Sequence, residues 1–203
     1  MAKLFMDKIF QNRIWHSFML CLINGSGERA NYLRRKHVFG SIGENCTIMD
    51  RKVPLYANLI RLGNNVHIAS KVSFVTHDAL HLLLNNLRIT DSGGVPMRFP
   101  EKIGCIEIGN NVFVGSNSTI LYNVKIGSNV VIGAGCLVNR DVPDNSVVVG
   151  VPARIIGSFD DFVNKRKSLF VYPEELKPMK RICSEKLSEY MWQKFNNDRG
   201  RAN

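Results

Sequence analysis

The chain has 203 residues, 45% of them hydrophobic and 22% charged, which excludes both a disordered chain and one wholly embedded in a membrane. Its formal charge of +10 lies mostly in the flanks. Lys and Arg outnumber Asp and Glu seven to two over residues 1–38, ten to eight over 39–159 and ten to seven over 160–203. No long basic run with interleaved aromatics occurs, so nucleic acid is not an expected partner, whereas a small polyanionic ligand suits the net charge. The cysteines, Cys21, Cys46, Cys105, Cys136 and Cys183, are odd in number and lack CxxC spacing. Neither a disulfide framework nor a zinc site is indicated, and reduced thiols in the cytoplasm are expected.

In chain order, the first apolar stretch is Ile14–Ile23, too short to span a bilayer. Asp7, Gln11 and Arg13 before it argue against a secretory leader. It reads as an amphipathic helix packed on the core or lying on a membrane surface, with peripheral membrane association otherwise unsupported. Gly25–Arg34 reads as a second helix, with Ser26 as its cap and Arg29, Leu33 and Lys36 at helical spacing.

From Ile42 a different period takes over. Ile42-Gly43 leads to Ile48, and Leu62-Gly63 leads to Ile68 and Phe74, in steps of six. Ile48 and Leu62 stand two residues further apart than two hexads allow, so the phase slips within Met49–Arg61 and a corner is bulged there. After Phe74 the repeat stops, then resumes near Ile103. Ile108, Val114, Ile120, Ile126, Ile132 and Val138 continue it, with Gly after four of them. At a second position in each hexad stand Val112, Ser118, Val124, Val130, Cys136 and Val142. A period of six fits neither a helix nor a long strand, and a sandwich of short strands predicts alternation with variable loops instead. It fits a triangular prism, one side per hexad, with stacked aliphatic residues inside and Gly, Asn and Ser at corners that often need positive φ.

The segment 76–102 is the main departure from that prism. A loop of this length in a rigid scaffold is usually functional. His77 stands where it leaves the last regular hexad. Imidazole is the side-chain type suited to a general base near neutral pH, and the plainer reading is a histidine satisfying loop hydrogen bonds. Asp78 is read as orienting an imidazole, contacting a ligand, or merely exposed. His81 is the rival base and His67 a surface residue. Asn85, Asn86, Arg88, Asp91 and Arg98 are unranked contacts for a substrate held by the loop. The repeat closes on Gly150-Val151-Pro152-Ala153-Arg154-Ile155-Ile156-Gly157. Residues 159–195 look helical again, broken at Tyr172-Pro173.

From about Phe39 to Gly157 the sequence resembles the hexapeptide-repeat acyltransferase family, and within it most closely the galactoside, maltose and capsular-polysaccharide O-acetyltransferases. The resemblance implies a mainly β fold, a left-handed parallel β-helix with N-terminal helices, an extruded loop and a C-terminal helical extension. The organisation expected is an N-terminal helical segment at 1–38, a catalytic β-helix at 39–157 with loop 76–102, and an extension at 158–203. It implies transfer of an acetyl group from acetyl-CoA to a sugar or glycan hydroxyl in a ternary complex, in a homotrimer with sites between neighbouring prisms.

His77 matches the position of the family's catalytic histidine. Gly150–Arg154 resembles the closing G-x-P-A-(Lys/Arg) signature of CoA-dependent members, which implies Ala153 in a close turn and Arg154 at nucleotide phosphate. By position, Ser116 and Ala134 are implied along the pantetheine arm, with Asn139 and Arg140 in the same groove. Phe113 stands where relatives carry Trp, keeping an apolar wall without the indole N–H. The plainer readings are corner geometry for Ala134 and ordinary surface cations for Arg140 and Arg154. Asp78 and Asn85 are the acceptor contacts carried forward. No metal is expected, because the five histidines do not match a carbonic anhydrase of this fold. An amine acceptor, as in N-acetylation of an amino sugar or antibiotic, is the alternative, and a non-catalytic scaffold the remote one.

Overall fold

A computed structural model of the chain describes residues 2–167, 172–176 and 183–200. Two compact units are present, residues 1–163 and 164–203. The first opens with helices α1 (Ala2–Leu22) and α2 (Ser26–Arg35). Short strands follow: β1 (Ser41–Ile42), β2 (Thr47–Ile48), β3 (Ile60–Leu62), β4 (Val66–Ile68) and β5 (Ser73–Val75). After helix α3 (Leu80–Asn86) come β6 (Ile106–Ile108), β7 (Val112–Val114), β8 (Thr119–Leu121), β9 (Val124–Ile126), β10 (Val130–Ile132), β11 (Leu137–Val138), β12 (Ser146–Val149) and β13 (Arg154–Ser158). Helix α4 spans Phe159–Lys167, and α5 (Glu185–Gly200) lies in the second unit. Tyr172 and Pro173 lie outside both helices. Glu174–Leu176 forms only a short 3-10 turn, Cys183 and Ser184 are not helical, and 168–171 and 177–182 fall outside the described residues.

The strands stack into three sheets, in the orders β1-β3-β6-β9, β13-β12-β10-β7-β4-β2 and β11-β8-β5. Every pairing is parallel except β12 with β13. Val112 pairs with Val130 and Ile120 with Val138, a step of three hexads, so each hexad is one side of a three-sided coil. Ser41 pairs with Arg61, two residues beyond that step, which is the slip read from the sequence. The third side of that first coil is no strand. Met49–Tyr56 runs irregularly into a short 3-10 turn at Ala57–Leu59, and β5 is the terminal strand of its sheet.

Both hexad positions point inward. Ile108, Val114, Ile120, Ile126, Ile132 and Val138 are buried, as are Val112, Val124, Val130, Cys136 and Val142. Ser118, wholly buried, donates to the Gly133 carbonyl at 2.9 Å and accepts from the Cys136 amide at 3.2 Å. Phe74 is only half-buried and meets Phe39 edge-on at 6.4 Å.

Among the Gly, Asn and Ser expected at the corners, asparagine takes most of the positive-φ positions. Asn45, Asn65, Asn111, Asn117, Asn123, Asn129 and Asn145 hold φ between 54° and 60°. A Cβ on Gly115 would lie 2.5 Å from the Ala134 nitrogen of the next coil. Glycine there serves close approach of stacked backbone, while asparagine tolerates the left-handed turn.

The helices close the base of the prism. Leu20, Ala30 and Leu33 are buried in the core, and Ser17 Oγ accepts from the Val53 amide at 3.0 Å. Ser26 is not the cap: Gly25 occupies that position without a side-chain bond, and Ser26 is buried in the first turn. Arg29, 2% exposed, holds the connection between the two helices by donating to the carbonyls of Ile23 (2.8 Å), Asn24 (3.0 Å) and Ile48 (2.9 Å).

Candidate functional site

His77 lies two residues past β5, at the stem of the extruded segment. Its backbone bridges to Ile103 on the returning limb. The Asp78 amide donates to the Lys102 carbonyl, and the Gly104 amide to the Thr76 carbonyl, each at 2.9 Å. Thr76, fully buried, donates its hydroxyl to the Leu55 carbonyl at 2.7 Å. The stem is therefore fixed on the prism while the segment beyond it projects. His77 Nδ1 is buried without a hydrogen-bond partner, and so is His81 Nδ1 on α3.

Asp78 does not orient the imidazole through Nδ1. Its carboxylate accepts from the Tyr122 hydroxyl at 2.9 Å and the Leu80 amide at 3.2 Å. Lys102 Nζ sits 5.3 Å from the centre of the same tyrosine ring, within cation–π range. Tyr56 packs on His77, its ring meeting the imidazole edge-on at 5.5 Å. Tyr56 donates its hydroxyl to Glu101 at 2.8 Å, and that bond holds the phenol pKa above its ordinary value.

The projecting segment has its own order. Asn85 is a clamp within it: its side chain donates to the Phe99 carbonyl at 2.9 Å and accepts from the Phe99 amide at 2.8 Å. One amide hydrogen and one oxygen lone pair remain for a ligand. Asp91 caps a tight turn by accepting from Gly93 and Val95, both at 2.9 Å. His67 belongs to a ladder on the prism's outer face, between Thr47 Oγ1 and Asn65 Oδ1 at 2.9 Å each.

The residues implied for the cofactor lie at the two corners of the face β11-β8-β5 and on the neighbouring face that carries β7 and β13. Phe113 points outward from β7 and is 45% exposed. Ser116 and Ala134 stand at the corner before β8 and β11, one coil apart, tied by the Gly135 amide to the Ser116 carbonyl at 2.8 Å. Ala153 joins that side through its amide to the Leu137 carbonyl at 2.8 Å. Gly150–Arg154 is a chain reversal rather than another hexad corner: it turns β12 into antiparallel β13, and Arg154 emerges exposed.

Asn139 and Arg140 are exposed at the next corner, on the side of Tyr122 and the His77 stem. Asn139 stands five positions after Ala134, at most roughly 17 Å of extended chain. Ser116 and Ala134 on one side and Asn139 and Arg140 on the other thus flank the face β11-β8-β5. Physically, each hexad turns a corner, so a separation near six changes edge.

Sequence reasoning missed Tyr122, Lys102, Tyr56 and Glu101. Tyr122 carried a signal, since it stands three hexads before Arg140. Tyr56 carried none, because it lies in the segment where the repeat slips. Among the described residues no group of three or more His, Cys, Asp or Glu gathers to hold a metal, and no helix is long and apolar enough to cross a membrane.

Comparison with known proteins gives the same frame. Residues 105–140 match the family model described as bacterial transferase hexapeptide (six repeats). The galactoside O-acetyltransferase of Escherichia coli K12 is 32% identical over 141 residues, 62% of this chain and 67% of that protein. Protein CapG of Staphylococcus aureus is 35% identical over 132 residues, 61% of this chain and 69% of the relative. A hexapeptide-repeat-containing acetyltransferase of Vibrio cholerae shares the fold, with a TM-score of 0.54 at 22% identity, over 75% of this chain and 92% of that one. With this repeat, this coil register and these relatives, the chain belongs to the hexapeptide-repeat acyltransferase family.

Proposed function

We propose that the chain is an acetyl-CoA-dependent O-acetyltransferase of a sugar or glycan hydroxyl, with His77 as general base. The observation that carries this reading is His77 itself, fixed at the loop stem with an unpartnered ring nitrogen, in a relative of a galactoside O-acetyltransferase. The imidazole takes the proton as the acceptor oxygen attacks the thioester carbonyl. Collapse of the tetrahedral intermediate breaks the C–S bond, and the imidazolium returns the proton to the departing thiolate, giving the acetyl ester and free CoA. A backbone N–H for the oxyanion fits the family chemistry. Phe113, Ser116, Ala134 and Ala153 are proposed to line the pantetheine arm, with Arg154 at the phosphates, and Asn139 and Arg140 to approach the cofactor from the other edge. Asp78 and Asn85 border the acceptor.

A homotrimer with sites between neighbouring prisms fits the family, and packing one prism's edge against a neighbour's would bring the two corners of this face together. The coil is taken as left-handed with the family, and the five free cysteines fit a reducing cytoplasm. Thiol release from acetyl-CoA against a panel of sugars tests the reading. His77→Ala should lower turnover by about 10²–10⁴ while CoA still binds, and unchanged turnover would sink the assignment.

An amine acceptor is the second reading. It is favoured by 48% identity over 62 residues to a 2,3,4,5-tetrahydropyridine-2,6-dicarboxylate N-acetyltransferase of Clostridium perfringens, though these cover only 30% of this chain and 26% of that one. Hydroxylamine separates the two products, since it cleaves an ester and leaves an amide.

A further inference from the structure

The phase slip leaves a hole. Because Met49–Tyr56 forms no strand beneath β5, a cavity of about 530 Å³ opens there. That is several times the roughly 150 Å³ that holds a benzene ring and within the range of small-molecule sites. Its walls are mainly apolar: Leu20 and Leu33 from the helices, Phe39, Val53 and Leu55 from the segments around the first coil, and Phe74 from β5. Arg13, Lys52 and Lys71 line it against one carboxylate, Asp50, which accepts the Lys71 amide at 2.9 Å. His77 is also in its wall. A free sugar would leave most hydroxyls unpaired against such walls, at a cost for each.

We propose that this cavity binds the alkyl portion of an anionic amphiphile, whose charged group meets Lys52 and Lys71, and that the acceptor hydroxyl presented to His77 is carried on such a molecule. The part concerning the hydroxyl rests on the acetyl-transfer reading above. The helix that walls the cavity is apolar on both sides and not amphipathic. Its inner face supplies Leu20, while Ile14, Trp15, Phe18 and Leu22, on the opposite side, are each more than half exposed.

The test is calorimetric titration of the full chain with hexyl, octyl and decyl phosphate below their micelle concentrations, with inorganic phosphate and a neutral alkyl glucoside as controls. The proposal expects one site per chain and affinity rising by up to about fourfold per added methylene, the equivalent of about 0.8 kcal/mol, with inorganic phosphate silent. Lys52→Glu with Lys71→Glu should weaken decyl phosphate at least tenfold while leaving the glucoside unaffected. Val53→Trp fills the cavity and should abolish binding. Ser73→Trp, at the exposed rim, does the same if the first variant melts early.

Decyl phosphate that fails to bind, or binds equally to a folded filled variant, overturns the proposal. So does inorganic phosphate that binds as tightly as the alkyl series. A competitive block of acetyl transfer by decyl phosphate, measured against acceptor, supports the link to His77. Loss of transfer in His77→Ala without decyl phosphate binding would keep the base and overturn the cavity ligand. Chain-length-dependent binding without transfer to any hydroxyl would support the cavity ligand and remove the acetyl-transfer reading.

Discussion

Two glycines at stacked corners carry opposite constraints. Gly115 lies under the next coil, and a Cβ there meets the Ala134 nitrogen at 2.5 Å. Gly135 holds φ +70° with open space around it, one coil above Asn117 at φ 60°. Gly135→Asn should therefore change stability by less than about 0.5 kcal/mol, because asparagine already serves the equivalent corner. Gly115→Ala should cost about 1–3 kcal/mol, since backbone rather than a flexible side chain must yield. Urea midpoints of the two variants check the pair, and equal losses would refute the division between φ and close approach. Ser118→Ala leaves the Cys136 amide without its side-chain acceptor, so a loss of about 1–3 kcal/mol is expected in the same measurement.

At the scale of elements, the helical cap depends on polar contacts that hydrophobic patterning does not reveal. Arg29 ties the α1–α2 connection to β2 through three carbonyls. Arg29→Met should destabilise the chain by at least about 2 kcal/mol, although it keeps much of the apolar stem, because buried acceptors lose their donor. His16 adds a dependence on pH. Its ring bonds the Tyr32 hydroxyl at 2.8 Å, and burial, helped by Lys36, holds its pKa below the ordinary 6.5. The folded state resists protonation that the unfolded chain accepts, so this contribution is complete above pH 6.5 and erodes as pH falls below it. Thermal melts over that range should show the decline, and His16→Gln should flatten it. A steeper decline in the variant would contradict the assignment.

For the whole molecule, repetition turns one local rule into an architecture. Each inward aliphatic stacks on its equivalents, so Ile120→Ala opens a void flanked on both sides and should cost about 2–5 kcal/mol by denaturant unfolding. Assembly is the prediction at the largest scale. If prism edges complete one another's sites, light scattering should give three times the 22.9 kDa chain mass, and a monomer with full activity would exclude shared sites.

The coils, their inward residues, the slip in the first coil and the loop stem at His77 were all legible in the sequence. Each follows from a short-range rule: a side must bury an aliphatic residue, a corner must turn, and a break must project. What tertiary structure decided is which distant residues meet once coils stack. Asp78 finds Tyr122 rather than the Nδ1 of its neighbour His77, Tyr56 edges onto His77, and Gly25 stands at the cap while Arg29 ties the helix connection to β2. The slip was readable as two extra residues. That it removes a strand and opens a cavity beside His77 was not, because an empty volume depends on the helices below and β5 above at once, and no local period encodes that coincidence.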